Sequence, residues 1–75
     1  MSVVYFKSID NLTPSTYFKV IGEKYYTWIG TEWYKGFYKT WDEYLGKRAR
    51  VLNRDLVEIS NLEILIAHGI EALKE

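Results

Sequence analysis

The sequence predicts an α+β domain: a small antiparallel β-meander of three to four strands packed on one face against two C-terminal α-helices. Three observations lead there. Ten of the thirteen aromatic residues fall between Thr16 and Trp41. Within that stretch, Ile21-Gly22-Glu23-Lys24 and Ile29-Gly30-Thr31-Glu32 share one layout, with glycine first in a two-residue loop between β-rich runs. Glycine there suits a type II′ turn, whose twist matches that of a hairpin. Downstream of Thr40 the apolar spacing becomes helical.

Val3-Val4-Tyr5-Phe6-Lys7 reads as an opening strand, short and rich in β-branched and aromatic residues. Ser8 to Ser15 is a connection of turn formers. Pro14 bars a strand from running through it, and Asp10-Asn11 is a candidate single helical turn.

In the meander the two turns set a register. Val20 faces Tyr25, Phe18 faces Thr27, Thr27 faces Tyr34, and Trp28 faces Trp33. One face then carries Phe18, Val20, Tyr25, Thr27, Ile29, Tyr34 and Tyr38. It holds no lysine, and Gly36 leaves room on it for a helix to approach, so it is assigned to the core. The other face mixes Tyr17, Tyr26, the Trp28–Trp33 pair and Phe37 with Lys19, Lys24 and Lys35. Three lysines are costly to bury without partners, so this face is expected to be wet.

Thr40-Trp41-Asp42-Glu43 is a capping box, and starts helix one at Trp41. Trp41, Tyr44, Leu45, Ala49 and Leu52 form its apolar stripe. Asn53-Arg54 is a short turn. Asp55-Leu56-Val57-Glu58 gives a second capping signal, and helix two is expected from there to about Leu73. Leu56, Ile59, Leu62, Leu65, Ile66, Ile70 and Leu73 form its broad apolar face. Val57 and Ile64 lie on the other side. A helix apolar on two sides needs two neighbours, so Val57 and Ile64 are the expected contacts of a homo-oligomer.

Seventy-five residues make one domain, 1–75, with a sheet part over 1–39 and a helical hairpin over 40–75. The chain has no cysteine and one histidine, His68, so neither a metal site nor a cofactor is expected. No apolar run approaches the roughly 20 residues of a membrane span, and nothing resembles a signal peptide, so a cytoplasmic location is expected. Net charge is zero. It is distributed unevenly: residues 55–75 carry five acids against Lys74 alone, and residues 40–54 carry four cations against Asp42 and Glu43. A dedicated duplex binder is usually more basic than this.

No catalytic constellation is present. His68 sits between Ala67 and Gly69 without an acidic or nucleophilic companion at a recognised spacing. Asp10, Glu23 and Glu32 are scattered near turns, so an enzyme is not expected. The strongest candidate site is the lysine–aromatic face: Tyr17, Lys19, Tyr26, Trp28, Trp33 and Lys35. Rigid aromatics with cations between them can anchor a protein partner or stack unpaired bases. The same residues can equally be the core of a small domain, with lysine stems covering their edges. The second candidate is Lys47, Arg48, Arg50 and Arg54, placed either to contact phosphates or to suit a helix end.

The run from Trp33 through helix one, Leu52-Asn53-Arg54-Asp55 and helix two resembles the strand–helix–turn–helix order of ribbon–helix–helix DNA-binding proteins. The resemblance covers residues 33–73. It implies dimerisation through the second helix, with Lys35, Phe37 and Lys39, or Tyr34 and Tyr38, in the major groove. The family has an isolated strand, whereas here Trp33 to Lys39 is the last limb of a meander.

The leading expectation is therefore a non-enzymatic protein-interaction module that blocks or bridges another macromolecule. Small phage- or virus-encoded inhibitors of host proteins share this size and composition. The alternative is nucleic-acid binding through the aromatic–lysine face or the basic helix.

Overall fold

The computed structural model describes residues 2–9 and 15–73. The candidate turn at Asp10-Asn11 and the role of Pro14 lie outside the described residues. Five strands form one antiparallel sheet: β1 (Val3–Ile9), β2 (Tyr17–Ile21), β3 (Lys24–Trp28), β4 (Trp33–Lys35) and β5 (Asp55–Ile59). Their spatial order is β4-β3-β2-β1-β5. The first four make the meander, and β5 joins the far side of β1.

The two hairpins have the register that the Gly-first turns predict. Val20 pairs with Tyr25, Phe18 with Thr27, Thr27 with Tyr34, and Trp28 with Trp33. Gly22 and Gly30 take positive φ of 63° and 100°, which their turns demand. The β1–β2 connection is closed by buried Ser8. Its backbone N–H donates to the Thr16 carbonyl, and its hydroxyl accepts from the Thr16 N–H, both at 2.8 Å.

Helix α1 (Trp41–Tyr44) continues through a π-type turn, Leu45–Ala49. The Thr40 hydroxyl accepts from the Glu43 N–H at 3.1 Å, as the capping box predicts. The Trp41 N–H donates to the Glu23 carbonyl at 2.8 Å, which ties the helix start to the β2–β3 turn. Trp41, Tyr44 and Ala49 pack on Phe18, Val20 and Tyr25, with Phe6, Tyr38, Leu45 and Leu56 around them. Gly36 has a different role from the one expected. It lies opposite Tyr25, whose ring fills the space over it and would sit 2.0 Å from an added Cβ. The Tyr25 hydroxyl then accepts from the Tyr38 N–H at 3.1 Å.

The second half of the chain departs from expectation. Asp55–Ile59 is strand β5 and not the first turns of a helix; the sheet has five strands, and the helices are not a C-terminal pair. Leu56 and Ile59 are three residues apart. That spacing puts them on one side of a helix but on opposite faces of a strand. Leu56 packs with the α1 side and Ile59 with the other. The open edge of β1 supplies the hydrogen-bonding partners, pairing Lys7 with Val57 and Ser8 with Leu56. The ribbon–helix–helix order is also lost, because a strand follows the Leu52-Asn53-Arg54 turn.

Helix α2 (Asn61–His68) starts afresh, with Ser60 as N-cap accepting from the Glu63 N–H at 3.3 Å. Gly69 ends it at a φ of 83°, and a 3-10 turn, Ile70–Leu73, follows. Ile64 and Ala72 pack on Tyr5 and Trp28. The two helices therefore cover opposite faces of the sheet, where packing on one face was expected. From 41 to 73 the chain wraps the sheet, crossing one face by α1 and returning over the other by α2.

Candidate interaction surfaces

The lysine–aromatic face lies beneath α2 and the 3-10 turn. Trp28 is buried, and its ring meets Trp33 at 5.1 Å and His68 at 5.3 Å between centroids. Tyr17 meets the His68 ring edge-on at 4.4 Å. The Trp33 indole N–H donates to the Ala72 carbonyl at 2.8 Å, which fastens the end of the chain to β4. Lys19, expected in water, is 7% exposed. Its ammonium lies 5.2 Å from the Tyr26 ring centroid and 5.1 Å from that of Trp33. Two aromatic faces offset part of the desolvation of a cation, so a lysine here does not require a wet face. Of the six residues expected to form a platform, Lys35 is the one fully at the surface; Tyr17, Tyr26 and Trp33 are half-buried.

Burial sets the titration of His68, and an ion pair that of Lys7. Enclosure of His68 pushes its imidazole below the usual histidine range. The Lys7 ammonium hydrogen-bonds Glu63 at 2.5 Å, which raises the Lys7 pKa and pins the first turn of α2 to β1.

Val57 and Ile64 do not share a surface. Val57 sits on the edge strand β5, and Ile64 is 0% exposed in the core. The face of α2 assigned to the core is the one turned outward. Leu62, Ile66 and Ile70 are between 63% and 76% exposed, with Leu65 beside them. Leu62 and Ile66, four apart, form one row along α2, and Ile70 is exposed in the 3-10 turn beyond the Gly69 break. The signal for this was present in Ser60-Asn61-Leu62-Glu63, a capping box that starts a helix after β5. It leaves Ile64 and His68, four apart, as the inner row.

The basic cluster is mostly a surface. Lys47, Arg48 and Arg50 are exposed, while Arg54 is half-buried and donates to the Tyr44 hydroxyl at 3.3 Å. Lys47 lies 3.9 Å from Glu43. Arg48 and Arg50 have no ion pair among the described residues. Between and beyond them, Val51 is 75% exposed and Leu52 is also at the surface. This cluster lies past α1, on the side of the sheet away from α2.

A shallow groove at the β2–β3 turn is bordered by Ile21, Glu23, Lys24, Tyr26, Lys39 and Thr40. It contains no histidine and no paired carboxylates. Among the described residues no group of three or more metal-ligating side chains converges, and no helix is long and apolar enough to cross a membrane. Comparison with protein-family models, curated proteins and solved structures finds no match. What defines the chain is thus its own architecture: a five-stranded antiparallel sheet with one helical segment on each face.

Proposed function

We propose that this protein is a non-enzymatic interaction module that docks through the outer face of α2 onto an apolar protein surface, blocking or bridging its partner. One observation carries the reading: Leu62 and Ile66 project into solvent from a helix whose other side is already buried, and Ile70 is exposed in the turn that follows it. A helix apolar on all sides is usually enclosed on all sides. Exposed apolar side chains grouped on one side of a short helix are the kind of patch that commonly marks an interaction site.

A photo-crosslinking residue at position 66 tests this, with Thr31 on the far hairpin as the control position. Capture of one defined protein from position 66 and not from position 31 is expected. Equal capture from both positions, or none from either, removes the reading. A second reading, nucleic-acid binding, draws on the exposed cations Arg48 and Arg50. With zero net charge, any such affinity should be weak and should fall steeply with salt. Tight oligonucleotide binding at physiological salt would put that reading first.

A further inference from the structure

We infer that the open edge of β5 pairs with the β5 edge of a second copy of this chain, in a two-fold dimer that joins the two five-stranded sheets into one. The inference rests on a different surface from the α2 docking reading and does not depend on it. The Ser8 N–H donates to the Thr16 carbonyl, so the backbone groups of Ser8 point toward β2. In an antiparallel ladder successive residues bond on alternate sides. Lys7 and Ile9 therefore turn toward β5, and their partners Val57 and Asp55 turn toward β1. The backbone N–H and C=O of Leu56 and of Glu58 point the other way, off the edge of the sheet. Among the described residues no backbone or side-chain group bonds them there. The groups on either side of this strip are taken. The Arg54 N–H donates to the Ala49 carbonyl at 2.9 Å, and the Ser60 carbonyl accepts from the Ile64 N–H at 3.3 Å.

A second β5 matches that strip. Antiparallel pairing about a two-fold axis through Val57 sets Leu56 opposite the partner's Glu58. Each copy's open N–H groups then meet the other's open carbonyls. Moving the centre to Leu56 sets Glu58 opposite the partner's Arg54, whose N–H is already used. Moving it to Glu58 sets two carboxylates opposite each other, and like charges so placed are destabilising. In the Val57 register each acid faces an aliphatic side chain instead: Asp55 faces Ile59, and Glu58 faces Leu56. Val57 is 36% exposed and meets its own copy at the axis, in a non-hydrogen-bonded pair, where side chains come closest. The opposite edge is a poorer template, because β4 has three residues and ends in Lys35. β5 has five residues, with neither lysine nor proline, and its register with β1 is unbroken. A two-fold contact of this kind is isologous and closes at the dimer. Its axis stands normal to the sheet, so both α2 helices lie on one side and present their outer faces together.

Sedimentation velocity of the intact chain across micromolar to millimolar concentration tests this. The mass should rise from 8.9 kDa to twice that value and stop. Glu58→Pro removes an outward N–H and leaves the β1 ladder intact, since proline is tolerated on an edge. Val57→Lys sets like charges at the axis. Each should weaken association at least tenfold while thermal melts show a folded chain; if Glu58→Pro does not fold, Val57→Lys decides. Cysteines read the register, because the chain has none of its own. Paired Val57 Cα atoms would lie about 4.5 Å apart, within disulfide reach, so Val57→Cys should give a linked dimer under mild oxidation. Asp55→Cys should not, because its two copies would stand more than about 13 Å apart. A wild-type chain that is monomeric throughout overturns the inference. So does a dimer untouched by Val57→Lys, or one that Asp55→Cys links as fast as Val57→Cys. Growth beyond the dimer overturns the two-fold closure. A chain monomeric alone, whose Leu56 and Glu58 amides exchange slowly only when a protein captured at position 66 is added, assigns the edge to a foreign strand and overturns self-pairing.

Discussion

Ile64 and Ile66 are two residues apart on one short helix, yet their truncation should have opposite consequences. Ile64 is fully enclosed by Tyr5, Trp28, Ala72 and their neighbours. Cutting it to alanine removes buried methylene groups and leaves a cavity between a helix and a sheet that cannot close freely. Such changes cost about 2–5 kcal/mol. A domain of this size has a total stability of about 4–11 kcal/mol. Each kcal/mol moves the midpoint of a domain this small by about 4–8 °C, so Ile64→Ala should lower Tm by roughly 10–40 °C. Ile66 is 76% exposed. Its truncation loses little burial and gains a few tenths of a kcal/mol from alanine's helix propensity, so Tm should stay within about 3 °C of wild type. Circular-dichroism melts at low micromolar concentration measure both. If Ile66→Ala melts as early as Ile64→Ala, the helix is rotated from the orientation described and the docking stripe disappears with it.

Three other outcomes are expected. Gly36→Ala places a methyl inside the Tyr25 ring, which must swing out and release the Tyr38 N–H; a loss of about 1–3 kcal/mol by urea titration is expected, and no change would show that the ring does not lie over Gly36. Trp33→Phe removes the indole donor to the Ala72 carbonyl; amide exchange in residues 69–73 should quicken while that in β1 and β2 is unchanged. Burial lowers the His68 pKa in the folded chain. The unfolded chain therefore takes up a proton that the folded one resists as pH falls. Its contribution to stability is complete above about pH 6.5 and is lost as pH drops through the folded value. His68→Gln should remove this dependence, and an unaltered pH profile between 5 and 7 would exclude it.

The residues alone determined the local structure of the first half. Gly22 and Gly30 each sit where a two-residue turn needs them, and turn length dictates register, so the pairing of Trp28 with Trp33 was legible before any tertiary contact was known. The Thr40 capping box did the same for the start of α1. The α+β class followed from these, together with the change of period after Thr40. Tertiary structure decided the rest, because the remaining signals were degenerate. Leu56 and Ile59 satisfy both a one-sided helix and a two-sided strand, and the free edge of β1 is what selects the strand. Once β5 exists, the helix must restart at Ser60, and the connection places it on the face opposite α1. That placement covers much of the lysine–aromatic face, burying Trp28 and Lys19 and leaving Lys35 at the surface. It also turns the larger apolar side of α2 outward, because the smaller row of Ile64, His68 and Ala72 is the one that fits over Tyr5, Tyr17 and Trp28. Apolar spacing records how many neighbours a helix needs but not which side each one takes. That depends on contacts between residues far apart in the chain, such as Trp33 with Ala72.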